Sequence, residues 1–321
     1  MSGVVLAVDT SNYTTSAALC GEGLRITNTA SRLLPVEKGH LGLRQSEAVF
    51  HHTRALPDII SSVLGQSRQP VSAVAVSARP RDAEDSYMPC FLAGVSVAKS
   101  IGSVLNVPVY EFSHQSGHIA AALYGADRLD LLNDKFIAFH LSGGTTEGVL
   151  VTPDEHNAFS VKLLSNTLDL NAGQAVDRVG ALLGLEFPAG IELERLAMLW
   201  QDDCKKTDKR KNIRPCLKQG NCCLSGVVNF CGQQLERGGF REETAYLCLD
   251  YIAKTLDKMT ESLLERCGDL PVVYSGGVMS NGIIREKISS KYRDRAVFSP
   301  PSFSRDNAAG TAILGGIKYG L

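Results

Sequence analysis

The sequence predicts an α/β protein of two lobes, each a mixed sheet flanked by helices, with a nucleotide and metal cleft between them. Three observations carry this. Residues 4–29 read as three short strands joined by polar turns, and strands then alternate with helices as far as residue 121. A strand, a hydroxyl-rich turn and a second strand begin again at residue 136. The chain of 321 residues is also long enough for two cores of ordinary size. The expected boundaries are 1–131 for the first lobe and 132–305 for the second, with a helical insertion around 185–267. The final helix, 306–321, is expected to pack back on the first lobe.

Composition excludes several classes. With 44% hydrophobic residues the chain can bury substantial cores. A net charge of −1 gives no global pull toward nucleic acid or an anionic membrane, so any RNA contact must be local. Nine cysteines and an N-terminus that runs straight into a strand (MSGVVLAVDT) imply a reducing interior and a cytoplasmic location. No apolar run reaches the roughly 18–20 residues of a membrane span.

In order, Val4–Val8 is apolar and β-branched, and breaks at Asp9-Thr10-Ser11-Asn12. Thr14–Cys20 and Leu24–Thr29 hairpin on through Gly21-Glu22-Gly23. Ser31–Arg44 reads as loop and Gln45–Leu64 as an amphipathic helix. Val71–Val76 is a strand, residues 78–86 are polar and irregular, and Met88–Leu105 is an apolar helix with small residues for close packing. Val107–Tyr110 leads into a helix carrying Ser113–Ala121.

The second lobe repeats the plan. Phe136–Leu141 breaks at Ser142-Gly143-Gly144-Thr145-Thr146, and Val149–Thr152 and Val161–Leu164 follow as strands. Ala172–Leu183 and Ile191–Trp200 are helices around Phe187-Pro188-Ala189-Gly190. Glu242–Cys267 is the longest helix. Leu270–Val273 is a strand ending in Tyr274-Ser275-Gly276-Gly277, and Val278–Asn281 opens a helix through Lys287. Phe298–Pro301 is extended, and Ala308–Ile317 is an Ala/Gly-rich helix.

Four features carry chemistry. His114 and His118 stand one turn apart on a helix face, a spacing that lets two imidazoles meet one divalent cation. Asp306 lies near the start of the last helix and reads either as a capping carboxylate or as a third metal ligand. Iron, zinc and manganese all suit such a set. Asp9, with Thr10 and Ser11, offers a turn able to hold a phosphate or its metal; the plainer reading is an Asx-type hairpin turn. Ser142, Gly143, Gly144 and Thr146 form a better anion turn, since two glycines let backbone N–H groups approach an anion and three hydroxyls can donate; the plainer reading is a glycine hairpin. Gly276 and Gly277 with Asn281 make a third turn, where a flat ring or phosphate can lie against backbone near helix N–H groups. A zinc-peptidase H-E-x-x-H motif is excluded, because Gln115 stands where the general-base Glu belongs.

Two clusters are less specific. Lys205, Lys206, Lys209, Arg210, Lys211, Arg214 and Lys218 form the one dense basic run, a candidate contact for RNA phosphates over 205–218 or a solvated loop. Cys204, Cys216, Cys222, Cys223 and Cys231 lie close together but lack a CxxC pair, so they read as a weak zinc or iron–sulfur candidate beside the reading as reduced thiols.

These turns, in this order, resemble the TsaD family of the actin/sugar-kinase/heat-shock-chaperone superfamily, also called glycoprotease-like. The resemblance runs over nearly the whole chain. It rests on the HxxGH-type pair, on Ser304–Ala308 (SRDNA), on LSGGTTEG at 141–148, on Leu168–Gly184 with Pro188-Ala189-Gly190, on Ser275–Asn281 and on Cys223–Val227. It implies two actin-like (ribonuclease H-like) lobes and a metal held by His114, His118 and Asp306. It implies nucleotide contacts at Gly173, Asp177 and Gly190, and threonylcarbamoyl transfer from an ATP-derived adenylate to a tRNA adenosine. Asp9 and Thr145 are the residues assigned to the chemistry, Asp9 orienting metal-bound water or the phosphate.

The chain departs from that pattern in three places. Thr145 replaces the His of an SGGH turn, Ser116 replaces the Glu of HxEGH, and Asp82–Tyr87 replaces a Gly-Pro-Gly turn. These departures predict a divergent paralogue. The alternative is a non-catalytic nucleotide-binding scaffold that pairs with a related actin-like protein. A third reading, another carbamoyl-type transfer onto a small acceptor, shares the same site.

Overall fold

The computed structural model describes residues 3–11, 13–35, 43–83, 85–155, 157–204, 213–303 and 308–321, with only the backbone at 201–204. Asp306 and the basic residues Lys205, Lys206, Lys209, Arg210 and Lys211 lie outside the described residues. The first half runs β1 (Val4–Asp9), β2 (Thr14–Gly21), β3 (Arg25–Leu33), α1 (Gln45–Leu64), β4 (Val71–Arg79), α2 (Phe91–Leu105), β5 (Val109–Ser113) and α3 (His114–Gly125). The second runs β6 (Phe136–Leu141), β7 (Thr146–Asp154), β8 (Ala158–Asn166), α4 (Ala172–Leu182), α5 (Gly190–Cys204), β9 (Cys216–Lys218), β10 (Asn221–Cys223), α6 (Ser225–Glu236), α7 (Arg241–Cys267), β11 (Val272–Ser275), α8 (Gly282–Tyr292), β12 (Ala296–Phe298) and α9 (Ala309–Tyr319).

Two mixed five-stranded sheets follow one plan. The first has order β3-β2-β1-β4-β5, the second β12-β11-β6-β7-β8. In each, the first strand of the half sits at the centre, pairing antiparallel with the next strand on one side and parallel with a later strand on the other. The repeated strand–turn–strand signal therefore marks a duplicated sheet topology. Helices flank both sheets, nine of them among the described residues.

The contacts divide into two compact units, Met1–Asp134 with Thr152–Val161 and Ser302–Leu321, and Lys135–Val151 with Lys162–Pro301. In the first unit the central sheet is buried on both faces, which is why its strands read as unbroken apolar runs. Val4, Leu6, Val8, Val74 and Val76 pack with Leu56, Ile59, Ile60 and Val63 of α1 and with Ala93 and Ala98 of α2. On α9, the built Cβ of Gly315 would sit 2.7 Å from Ala75 Cβ and 2.8 Å from Val5 Cγ1. The small residues of the last helix thus permit close approach to the sheet. In the second unit α7 supplies the longest buried stripe, packing Tyr246, Leu249, Ile252, Leu256, Met259 and Leu263 into a core shared with Phe139 and Tyr274.

The structure differs from the sequence expectation in several elements. β3 runs to Leu33 inside the stretch read as loop, because its outer-edge position tolerates the polar Thr29, Ser31 and Arg32. The helix read from Val278 starts at Gly282, after a short 3-10 turn over Gly277–Ser280. α6 was not expected: only Val227, Cys231 and Gln234 are buried, too sparse an apolar stripe to announce a helix. Among the described residues no helix is long and apolar enough to cross a membrane.

Candidate functional site

In the first unit, three parallel strands end side by side: β1 at Asp9, β4 just past Ser77, and β5 at Ser113. Such carboxyl ends are where open α/β sheets present ligand-binding residues. The chain after β5 turns directly into α3, so His114 occupies the first helical position. Ser113 caps the helix by accepting from Ser116 N–H at 3.0 Å.

His114 and His118 come together as their spacing predicts, with ring centroids 4.2 Å apart in an edge-on arrangement. Nδ1 of His114 lies 2.8 Å from Oδ2 of Asp9, whose side chain is only 2% exposed. Ser77 Oγ donates to the same oxygen at 2.5 Å, and Ser11 N–H to Oδ1 at 2.7 Å. Burial alone would raise the Asp9 carboxyl. The charge of His114 and hydrogen bonds from His114, Ser11 and Ser77 outweigh it and hold the group at about 2. An ionised carboxylate can only accept, so the shared proton sits on Nδ1 and Nε2 is the ring nitrogen turned away from Asp9.

The sequence missed Ser77 and Thr311. Their hydroxyls lie 3.0 Å apart and tie α9 into the Asp9 network from the far end of the chain. Asp82 was also missed: its carboxylate receives Arg79, Ser113 and Ser116. Ser77 sits inside a strand, and Asp82 inside a polar irregular stretch, so neither carried a spacing signal. Thr10, expected at the phosphate, has its hydroxyl engaged elsewhere, donating to Cys90 C=O at 3.0 Å and accepting from Gly94 N–H at 3.2 Å. Ser11 is buried, and among the described residues its Oγ has no hydrogen-bond partner.

The second unit holds the glycine-rich turns. Ser142 closes the corner between β6 and β7: its N–H donates to Thr145 C=O at 2.8 Å, and its Oγ accepts from Gly144 and Thr145 N–H at 3.3 and 3.1 Å. A Cβ at Gly143 or Gly144 would meet nothing within 4 Å, so the corner is open on its outer side. Its inner side is closed by the start of α4, where a Cβ at Gly173 would fall 2.6 Å from Gly143 N. Thr146 Oγ1 accepts from Ala172 N–H at 2.8 Å, fastening that helix start. Gly276, at φ +95°, crosses so near β6 that a Cβ there would lie 2.2 Å from Leu141 C=O, while a Cβ at Gly277 would meet open space. Only glycine fits at 276.

Two further expected contacts have structural partners. Asp177 Oδ1 accepts from Ala189 N–H at 2.9 Å, holding the turn that leads to Gly190, whose built Cβ would make only an ordinary contact with Val176. Asn281 caps α8 by accepting from Ile284 N–H at 3.1 Å. Asp169, unnoticed in the sequence, binds Leu224 N–H, Ser225 N–H and the Ser225 hydroxyl, joining the approach to α4 with the start of α6.

The donor chemistry suits the groups the sequence implied. Two imidazoles, one of them oriented by a buried carboxylate, match a divalent-metal site with an outer-shell partner. Among the described residues no three His, Cys, Asp or Glu side chains could hold a metal; the proposed third ligand, Asp306, lies outside them. The open glycine corner at 142–145 suits an anion such as a phosphate. Within the cysteine cluster, burial pushes the thiols of Cys222 and Cys231 up to about 11 and 12, which makes both protonated thiols as the protein stands; the side chain of Cys204 lies outside the described residues. Of the basic run, Arg214 and Lys218 are described, and both are exposed.

Residues 36–313 match the sequence profile of the family described as TsaD, tRNA N6-adenosine threonylcarbamoyltransferase. A tRNA N6-adenosine threonylcarbamoyltransferase of Thermosipho africanus is 27% identical over 326 aligned positions, covering 97% of this chain and 93% of that protein. One from Streptococcus pneumoniae is 28% identical, covering 92% and 86%. Among solved structures, HypF from T. kodakarensis aligns over 99% of this chain and 48% of its own, with a TM-score of 0.62 at 13% identity. The activator of 2-hydroxyisocaproyl-CoA dehydratase from Clostridium difficile with bound ADPNP gives 0.53 at 14% identity, over 99% and 95%. A ROK family glucokinase from Streptomyces griseus in complex with glucose and AMPPNP gives 0.52 at 12%, over 98% and 99%. At these identities the structures share the fold alone.

Proposed function

The chain belongs to the TsaD family, the tRNA N6-adenosine threonylcarbamoyltransferases, and from that premise we propose that it transfers a threonylcarbamoyl group from an adenylate to N6 of a tRNA adenosine, with a divalent metal bound. The family is an enzyme family, and the relatives' shared name supports the acceptor. The observation that carries the metal-dependent reading is the bond between Asp9 and His114 beside His118.

The adenosine nitrogen bonds to the carbamoyl carbon while the carbon–oxygen bond to the adenylate phosphate breaks. AMP leaves, and N6 gives up one proton to solvent. Iron, zinc or manganese held by His114, His118 and Asp306 would supply Lewis-acid polarisation of the mixed anhydride. Asp9 stays ionised at neutral pH, which suits orienting His114 and makes it a poor proton acceptor. The hydroxyls of Ser142, Thr145 and Thr146 and the bare backbone of Gly143 and Gly144, with Gly173 behind them, would take a phosphate of the nucleotide, and Gly276, Gly277 and Asn281 would line the adenosine. Thr145 offers a hydroxyl where an imidazole is absent. The basic residues of 205–218 would meet tRNA phosphates, Arg214 and Lys218 among them.

The test is AMP release on adding tRNA and threonylcarbamoyl-adenylate to metal-loaded protein. Turnover that needs both the tRNA and His118 supports the reading. Saturable nucleotide binding without turnover would reject it.

A further inference from the structure

We propose that Asp82 is a positioning residue: its carboxylate clamps the first turn of α3 and so fixes how His114 and His118 are presented. The inference rests on the metal reading above, and the experiment separates the two.

Asp82 is on an irregular segment, yet it is held from three directions. Ser116 Oγ donates to Oδ2 at 2.6 Å, and Ser113 Oγ lies 3.0 Å from the same oxygen. The two serine hydroxyls are 2.9 Å from each other. Arg79 Nη2 donates to Oδ1 at 2.8 Å and supplies the balancing charge. Just beside this, Pro80 C=O accepts from Gln115 N–H at 3.0 Å. The first N–H groups of a helix have no partner within it, so what satisfies them sets where the helix begins. Here Pro80 takes one and the Ser113 hydroxyl takes another, and Asp82 locks that hydroxyl in place. A negative charge at this end also favours the helix dipole.

The geometry therefore grips α3 by two carboxylates. Asp9 holds the His114 ring, and Asp82 holds the backbone turn from which that ring and, one turn on, the His118 ring project. Ser116 and Asp82 stand at two separate departures from the family pattern, and they are bonded to each other. Loss of Asp82 takes the shared acceptor from two serine hydroxyls, while loss of Ser116 leaves the carboxylate with Ser113 and Arg79.

The experiment compares wild type with Asp82→Asn and Asp82→Glu. Amide hydrogen exchange at Gln115 and Ser116 is read in metal-free protein, and Zn2+ affinity is read by competition with a chromophoric chelator. In Asp82→Asn, exchange at both amides should speed up and Zn2+ affinity should fall by about 10-fold or more, the scale of an outer-shell loss. Asp82→Glu, which keeps the charge, should recover part of both. Unchanged exchange would overturn the clamp. Faster exchange with unchanged Zn2+ affinity would overturn the positioning role and leave Asp82 a local helix cap. Wild-type protein that takes up none of Zn2+, Mn2+ and Fe2+ would reject the metal reading itself, while faster exchange in Asp82→Asn would still support the clamp.

Discussion

Nδ1 of His114 lies 2.8 Å from Oδ2 of Asp9, across 105 residues of chain. The pair sets which imidazole nitrogen faces Asp9, and the proposed metal reading turns on it. Asp9→Asn keeps the shape and removes the charge, so the ring loses its fixed orientation and some basicity. Zn2+ affinity should fall by about 10- to 100-fold, with the far-ultraviolet circular dichroism spectrum unchanged. His118→Ala should abolish Zn2+ uptake. Equal affinities in wild type and Asp9→Asn would remove Asp9 from the metal's surroundings.

How much of this the sequence could disclose depends on whether a signal is local. His114 and His118 are one turn apart, so helical periodicity exposes them. Ser142–Thr146 and Gly276-Gly277 announce themselves by composition. The duplicated topology shows as a repeated strand–turn–strand pattern. The bond between Asp9 and His114 has no local trace, since it exists only because β1, β4 and β5 lie side by side. The same holds for Ser77 with Thr311 and for Asp82 with Ser116. Thr10 shows the converse: a hydroxyl in a promising turn is consumed by Cys90 and Gly94, which only the packing of α2 brings near.

The glycines of the second unit divide by what a methyl would meet. At Gly143 it would enter open space. Gly143→Ala should leave the melting temperature nearly unchanged and weaken AMP binding measured by calorimetry, since the anion would lose its close approach to backbone. At Gly276 a methyl would fall 2.2 Å from Leu141 C=O at a positive φ. Gly276→Ala should therefore cost about 1–3 kcal/mol or more in chemical denaturation. Equal stability losses in the two variants would contradict the open corner.

Asp169 predicts an acid-sensitive seam. Burial would raise its carboxyl, but hydrogen bonds from Ser225 and from the Leu224, Leu170 and Ser225 N–H groups leave it below its ordinary value. A carboxyl depressed in the folded state stabilises it above the unfolded value of about 3.9, and that stability is lost as pH falls through the lower folded value. Asp169→Asn should cost about 1 kcal/mol at pH 7, a modest figure because the group is exposed. The gap between wild type and variant in thermal melts should narrow below about pH 4. A gap of the same size at pH 3 and pH 7 would show that the charge is irrelevant.

The crossing of α3 and α9 offers the sharpest steric test. A Cβ at Gly310 would fall 1.8 Å from Gly117 C=O, a backbone atom that can yield only if the helices part. A Cβ at Gly117 would meet Thr311 Oγ1 at 3.0 Å, a side-chain atom that can yield more readily. Gly117 costs α3 about 1 kcal/mol in helix propensity relative to alanine, so Gly117→Ala gains something against its clash, and Gly310→Ala has a far larger clash to overcome. Gly310→Ala should lower stability by about 1–3 kcal/mol or more, and Gly117→Ala by clearly less. Parting the helices would also separate Thr311 from Ser77 and loosen the network on Asp9. Gly310→Ala should thus lose Zn2+ affinity even below its melting temperature. If it melts with wild type and binds Zn2+ as wild type does, the two helices do not cross as closely as their glycines demand.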